Sequence, residues 1–259
     1  MNALIGDIGN TTTKICLIGI KNFNVRKIIY FNSNNITSKK FLKKELKKII
    51  KNKSINKAAL FSSVVPKYHL ILRKFLKRFY NINLREIKEK NFNKIVKINI
   101  KNNNQVGSDR IANAVGVYKK YKSNCIVLDF GTATTFDVIT KNGIYNGGII
   151  APGVNLSLKS LVRSADQIPI FSIKRQKKII GKNTIEALRS GFYWGYVGLI
   201  NNIILKIEKE TKKKYKIIFT GGYASLFKTS IIRRFTIDKN ITIKGIIEIF
   251  KENSKYLNR

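Results

Sequence analysis

A chain of 259 residues that is 44% apolar and 10% aromatic can bury one large core or two modest ones, which excludes a disordered polypeptide. No apolar run reaches the roughly 18 to 20 residues that cross a bilayer, and the N-terminus enters a charged turn by Asp7 without a secretory pattern, so a cytoplasmic protein with no membrane partner is expected. The net charge of +37 points first to nucleic acid, but lysine, asparagine and isoleucine abound from end to end, as compositional drift would leave them, and no specific nucleic-acid partner is expected.

Strands are expected near 2–8, 13–20 and 24–32. A helix then runs from Lys39 to Lys53. Phe41, Leu42, Leu46, Ile49 and Ile50 share one face of it, and Lys39, Lys40, Lys43, Lys44, Lys47, Lys48 and Lys51 lie elsewhere. A strand near 57–62 ends in Ser62-Ser63-Val64-Val65-Pro66, whose proline suits the first turn of a helix over 67–79. His69 in that helix has no acidic neighbour in sequence and reads as an ordinary helical residue, at the surface or in the core. Residues 81–105 hold another strand and an asparagine-rich loop. Ile111, Ala114, Val115 and Tyr118 then mark a helix over 107–121.

The second half repeats the opening pattern. Strands are expected at 125–130 and 134–140, then a hairpin turn at Asn142-Gly143 and a strand at 144–150. Helices follow at 153–163 and 184–210, the latter burying mainly Ile185, Leu188, Phe192, Val197, Leu199, Ile203, Ile204 and Ile207. A strand at 216–220 runs into Gly221-Gly222, and a helix covers 243–256. The pattern is α/β: a mixed-sheet domain duplicated, with lobes 1–121 and 122–259 that pack closely and hinge at about 121–124. Cys16 and Cys125 lie in apolar strands without a CxxC spacing and read as small core residues.

Two segments are near copies of each other: Asp7-Ile8-Gly9-Asn10-Thr11-Thr12-Thr13 and Asp129-Phe130-Gly131-Thr132-Ala133-Thr134-Thr135. In each, an acid ends an apolar strand, a glycine allows a tight turn, and hydroxyls follow. Backbone N–H groups and threonine hydroxyls suit phosphate oxygens. A carboxylate beside phosphate makes sense with a metal ion or an ordered water between them. Two such turns in duplicated halves suit a nucleotide cleft.

These pieces, with Gly107-Ser108-Asp109-Arg110, Gly147-Gly148-Ile149-Ile150-Ala151-Pro152-Gly153, Gly181-Lys182-Asn183-Thr184 and Thr220-Gly221-Gly222, resemble the type III pantothenate kinases of the acetate and sugar kinase, Hsp70 and actin superfamily. The resemblance spans almost the whole chain. It implies duplicated ribonuclease H-like, actin-like ATPase domains, and ATP-dependent phosphorylation of pantothenate in the first step of coenzyme A synthesis.

Asp109 would be the general base, and Arg110 beside it could hold the pantothenate carboxylate in a bidentate pair. An Asp-Arg pair capping the helix that starts near Ser108 is the plainer alternative. Gly107, Ser108 and Thr184 complete the implied substrate set; Thr184 would act from a partner subunit in a homodimer, or serve with Asn183 as a helix cap. Asp7, Ile8, Gly9, Asn10, Thr11, Thr12, Thr13, Lys14 and Thr132 would contact ATP. Lys14 could add charge there, or be one of 51 basic residues with no special task. Asp7 would hold magnesium directly or through water, and Asp129 would help bind potassium or ammonium. Gly147, Gly148, Gly153, Gly221 and Gly222 could approach a ligand or simply shape loops. Ahead of Gly107 the family often has a tyrosine and an Asn-Pro-x-Glu-Val stretch, whereas this chain reads Ile100-Lys101-Asn102-Asn103-Asn104-Gln105-Val106, so a tyrosine contact to substrate is expected to be missing. The competing readings are a basic nucleic-acid-binding or regulatory protein on the same fold, and a related kinase acting on another small alcohol.

Overall fold

A computed structural model describes residues 1–50, 54–165 and 167–257, with the backbone alone for 255–257. Packing groups it into two compact units, Met1–Lys122 with Gly143–Tyr145 and Asn240–Arg259, and Ser123–Asn142 with Asn146–Lys239. The first break falls between Lys122 and Ser123. Asn240–Arg259, however, belongs with the first unit and not with the residues that precede it in sequence.

The first unit is built on β1 (Asn2–Ile8), β2 (Thr12–Gly19), β3 (Val25–Asn32), β4 (Ile55–Ser63) and β5 (Asn83–Glu86), ordered β3-β2-β1-β4-β5. β1 is antiparallel to β2 and parallel to β4, and β4 is parallel to β5. As the middle strand β1 is buried from Ala3 to Ile8, and apolar there but for the penultimate Asp7, since both its faces meet the interior. α1 (Lys39–Ile50) and α2 (Pro66–Tyr80) close this core with Leu42, Leu46, Ile49, Leu72, Phe75 and Leu76. The lysines of α1 stay in solvent, as its periodicity predicts; Lys51 lies outside the described residues. Pro66 opens α2, and Asn81 ends it in the left-handed conformation at φ 52°.

α3 (Ser108–Tyr121) and α6 (Ile241–Leu257) cross at two glycines. A Cβ on Gly245 would overlap the carbonyl of Ala112, and one on Gly116 would meet Ile241 O at 2.5 Å. Thr242 donates to Asn113 Oδ1 at 2.8 Å inside this contact. That backbone-to-backbone fit explains why the C-terminal helix joins the first unit.

The second unit repeats the plan with β7 (Cys125–Phe130), β8 (Ala133–Ile139), β9 (Ile144–Pro152), β10 (Lys216–Gly221) and β11 (Phe235–Ile237). Its order is β11-β10-β7-β8-β9, with β7 antiparallel to β8 and parallel to β10. The first residues of β9, Ile144 and Tyr145, themselves belong to the first unit and pair there with the short β6 (Lys97–Ile98). Neither β6 nor β11 is foreshadowed, because runs of two and three residues show no period.

The buried side of α5 (Thr184–Thr211) corrects the sequence reading. Tyr193, Tyr196, Val197, Ile200, Ile204 and Ile207 fill the core, while Leu188, Phe192, Leu199 and Ile203 are only partly buried. The helix is apolar nearly all round, so its periodicity could not choose a face. α4 (Val154–Ser164) sets Val154 and Leu158 inward. Both cysteines are buried and free, as expected.

His69 is 7% exposed, and neither ring nitrogen has a hydrogen-bond partner among the described residues. Burial lowers its pKa below the ordinary 6.5, opposed by Glu89 and reinforced by Arg73. The unfolded chain therefore binds this proton more readily, and stability is lost as pH falls below about 6.5. Thermal unfolding at pH 7.5 and 5.5 should show a larger drop for the native protein than for His69→Leu.

Candidate active site

The two Asp-x-Gly turns occupy equivalent places in the two sheets. Asp7 is the last but one residue of β1, opposite Lys14 of β2 and Ser62 of β4. Asp129 lies near the end of β7, opposite Thr135 of β8 and Thr220 of β10. The near-copies therefore slip by one residue inside the turn. Thr13 matches Thr134, because each faces the residue after its aspartate, Ile8 and Phe130 respectively. The first turn, closed by Gly9 N–H to Thr12 O at 3.1 Å, is one residue longer than the second, closed by Gly131 N–H to Ala133 O at 3.1 Å.

In the first turn Asn10, Thr11 and Thr12 are exposed, and Lys14 is a half-buried cross-strand neighbour of Asp7. Ile8 keeps its side chain in the core. Thr13 is fully buried, with its hydroxyl 2.8 Å from that of Ser33, and Ser33 donates to Gly9 O at 2.6 Å. The Thr13 hydroxyl thus braces the turn from behind. Ser62, which sequence reasoning did not single out, donates to Asp7 Oδ1 at 2.5 Å. The signal was a hydroxyl at the end of a parallel neighbouring strand, visible once the register is known.

In the second turn Thr132 is exposed and Asp129 half-buried. Thr220, beside Asp129 in register, is 1% exposed and its hydroxyl has no hydrogen-bond partner among the described residues. Gly153 and Gly221 shape this turn. A Cβ on Gly153 would overlap Thr132 O, and Gly221, at φ +85°, lies against the backbone of Phe130. Among the described residues no three His, Cys, Asp or Glu side chains gather to hold a metal ion. The oxygen donors of Asp7 with Ser62 and of Asp129 with Thr220 nevertheless suit hard cations whose remaining ligands are phosphate and water.

Gly107 precedes the first turn of α3, and Ser108 moors that turn to β4. Its hydroxyl donates to Ser63 O at 2.8 Å and accepts Ser63 N–H at 2.9 Å. Ser108 is 2% exposed, so its side chain is a strut. Asp109 and Arg110 are half-buried, and Asp109 Oδ1 accepts Arg110 N–H at 2.8 Å. Burial raises the Asp109 pKa above the ordinary carboxylate value, opposed by the N–H and charge of Arg110 and by Lys88. The Arg110 guanidinium lies 5.8 Å from the ring centroid of Tyr145, so an aromatic partner comes from β9 rather than from the segment before Gly107.

Thr184 is exposed at the start of α5, whose cap is Asn183, accepting Glu186 N–H at 2.9 Å. Lys182 N–H donates to Glu186 Oε2 at 2.9 Å, and Gly181 packs on the first turn. Thr184 borders a groove of about 950 Å³ with Leu188, Gly191, Gly195 and Leu199.

The model of the type III pantothenate kinase family matches residues 3–206. A type III pantothenate kinase of Pelagibacter ubique is 51% identical over 94% of this chain and 96% of its own, and one of Jannaschia sp. is 40% identical over 75% of each. The chain belongs to this family. It phosphorylates pantothenate with ATP, in coenzyme A synthesis. Among solved structures, a putative Baf family transcriptional activator from Campylobacter jejuni aligns with TM-score 0.63 and 23% identity over 97% of this chain and 99% of its own. A putative 2-dehydro-3-deoxygalactonokinase from Sinorhizobium meliloti aligns at 0.58 with 8% identity over 96% and 98%. These likenesses show the fold alone, a duplicated actin-like one shared with sugar kinases; the family model and the curated relatives lend no support to a nucleic-acid role. Among the described residues no helix is long and apolar enough to cross a membrane.

A Cβ on Gly107 would stand 2.5 Å from Asp109 Oδ1, while the backbone there, φ −58°, accepts any residue. Gly107→Ala should therefore displace the carboxylate without unfolding the pantothenate kinase. Steady-state kinetics should show kcat lowered roughly tenfold to a hundredfold, with a melting temperature unchanged or slightly higher.

Proposed function

We propose that Asp109 is the general base that takes the proton of the pantothenate hydroxyl as it attacks the γ-phosphate, and that Arg110 clamps the substrate carboxylate. The observation carrying this reading is the desolvated Asp109 carboxylate, lodged over Gly107 with Oδ1 on the Arg110 N–H, in a helical turn moored by Ser108. Phosphoryl transfer asks the protein mainly for positioning and charge balance. A base with a raised pKa has more proton affinity to offer, provided it is ionised at working pH. The exposed tip Asn10–Thr12, with Lys14 and Thr132, would contact the ATP phosphates, while Ile8, Gly9 and Thr13 shape the first turn from behind. Asp7, steadied by Ser62, would hold magnesium, and Asp129 with Thr220 would hold potassium or ammonium. These ions neutralise phosphate charge when bound. The residues' own part is to fix two carboxylates at strand ends.

In a coupled kinase assay, Asp109→Asn should lower kcat by roughly a hundredfold or more. Its thermal stability at pH 7 should be equal or higher, because the desolvated charge is gone. The native enzyme should lose most activity when potassium is replaced by sodium. Full turnover by Asp109→Asn removes Asp109 from the mechanism.

The active form is proposed to be a homodimer that seats α5 of one copy on α5 of another. Gly191, Gly195 and Gly198 have no heavy atom near where a Cβ would lie, Leu205 on the same helix is 54% exposed, and Thr184 stands at the head of the groove. Gly195→Arg should yield monomers in sedimentation velocity; a dimer of unchanged affinity would place the interface elsewhere.

A further inference from the structure

β4 outlasts its neighbour β5. The last residue of β5, Glu86, lies opposite Phe61, and the chain then turns away into a short 3-10 turn, Ile87–Glu89, while β4 runs on to Ser63. Successive residues of a strand point their N–H and C=O to opposite sides. Val64 N–H reaches Ile8 O of β1 at 3.1 Å, so the backbone groups of Ser63 face the other side, where β5 has already ended. Left unpaired and buried they would be costly. The Ser108 hydroxyl takes both, accepting Ser63 N–H at 2.9 Å and donating to Ser63 O at 2.8 Å. The same strand end is fixed on its β1 side, where the Ser62 hydroxyl donates to Asp7 Oδ1 at 2.5 Å. It is also fixed at its exit, where Ser63 Oγ accepts Val65 N–H and donates to Val65 O, each at 3.2 Å. Val64 Cγ1 lies 3.7 Å from where a Cβ on Gly107 would stand, and Lys88 Nζ ties the segment ahead of Gly107 from solvent by donating to Asn104 O at 3.1 Å. Two consecutive serines of β4 thus hold, on opposite sides of one strand, the carboxylate Asp7 and the turn that carries Asp109.

We propose that Ser108 is a positioning residue for phosphoryl transfer: by clasping both backbone groups of Ser63 it fixes Asp109, the next residue, relative to the strand end that carries Asp7. The inference rests on the reading of Asp109 as base. Asp109 Oδ1 bonds within its own turn, to Arg110 N–H, so the placing of the carboxylate against β1 and β4 follows the placing of the turn. A base must lie within hydrogen-bond reach of the hydroxyl it serves, and a drift of about 1 Å costs turnover with no change of charge. Arg110 has a further hold in the Tyr145 ring, 5.8 Å from its guanidinium, so the substrate clamp depends less on Ser108 than the base does.

Ser108→Ala and Ser108→Cys in the full-length enzyme test this, alone and combined with Asp109→Asn, by steady-state kinetics well below the melting temperature and by the thermal shift that MgADP gives. Ser108→Ala should lower kcat roughly tenfold while KM for pantothenate changes less than about threefold. The shift with MgADP should stay native, because Asp7 keeps Ser62. Ser108→Cys, whose thiol fills similar space and bonds weakly, should lie between Ser108→Ala and the native enzyme, and it decides the matter if Ser108→Ala does not fold. Combined with Asp109→Asn, either change should cost little more, since a group that acts through Asp109 then has nothing left to place. A further loss as large as in the native background would make Ser108 a general structural residue and overturn the proposal. A raised KM with native kcat would make it a substrate contact, and a lower melting temperature with native kcat a matter of stability alone; either overturns it. Full turnover by Asp109→Asn sinks the base assignment and this role with it, whereas a slow Asp109→Asn beside native kcat in both Ser108 variants sinks only the role of Ser108.

Discussion

A carboxylate at the end of a central strand, with a hydroxyl beside it from the parallel neighbour, is the constraint on which the rest of this kinase depends. Asp7 sits between β2 and β4 and receives the Ser62 hydroxyl; Asp129 sits between β8 and β10 with Thr220 alongside. Only a middle strand can present an acid this way, since its neighbours supply the polar partners while its apolar body anchors it in the core. The glycine after each acid then turns the chain within one or two residues, so exposed hydroxyls follow directly on a rigid strand end.

The acceptor side uses a different device. Here a helix start, not a strand end, carries the chemistry, and Ser108 fastens it to β4 through both the N–H and the carbonyl of Ser63. Asp109 therefore occupies a position where its pKa is raised by burial and held in check by Arg110 and Lys88. Absence of a side chain at Gly107 is part of the same arrangement, because a methyl there would take the space of the carboxylate.

Much of this was legible in one dimension. Apolar runs ending in Asp-x-Gly mark central strands, since burial on both faces demands unbroken hydrophobicity. Pro66 at the head of α2 and Asn142-Gly143 in the hairpin act through local backbone preferences that need no partner. The family motifs place Asp109 and Arg110 side by side because they are adjacent in the chain. In α5 the reading failed, as residues apolar on every side leave no stripe to choose, and glycines facing open space look the same in sequence as glycines in a core.

What the amino-acid order could not reveal belongs to pairs far apart in the chain. Ser62 beside Asp7, Thr220 beside Asp129, Lys88 with Asn104, Tyr145 against Arg110, and Gly116 under Gly245 are each set by strand register or helix crossing. The one-residue slip between the two turns is of the same kind: similar letters align by eye, but the ladder of backbone hydrogen bonds assigns the partners. Local preference and hydrophobic pattern are properties of short stretches and can be read there. Register, tethering and desolvation arise when distant stretches meet, which is why the chemistry was named early and its supporting residues were found late.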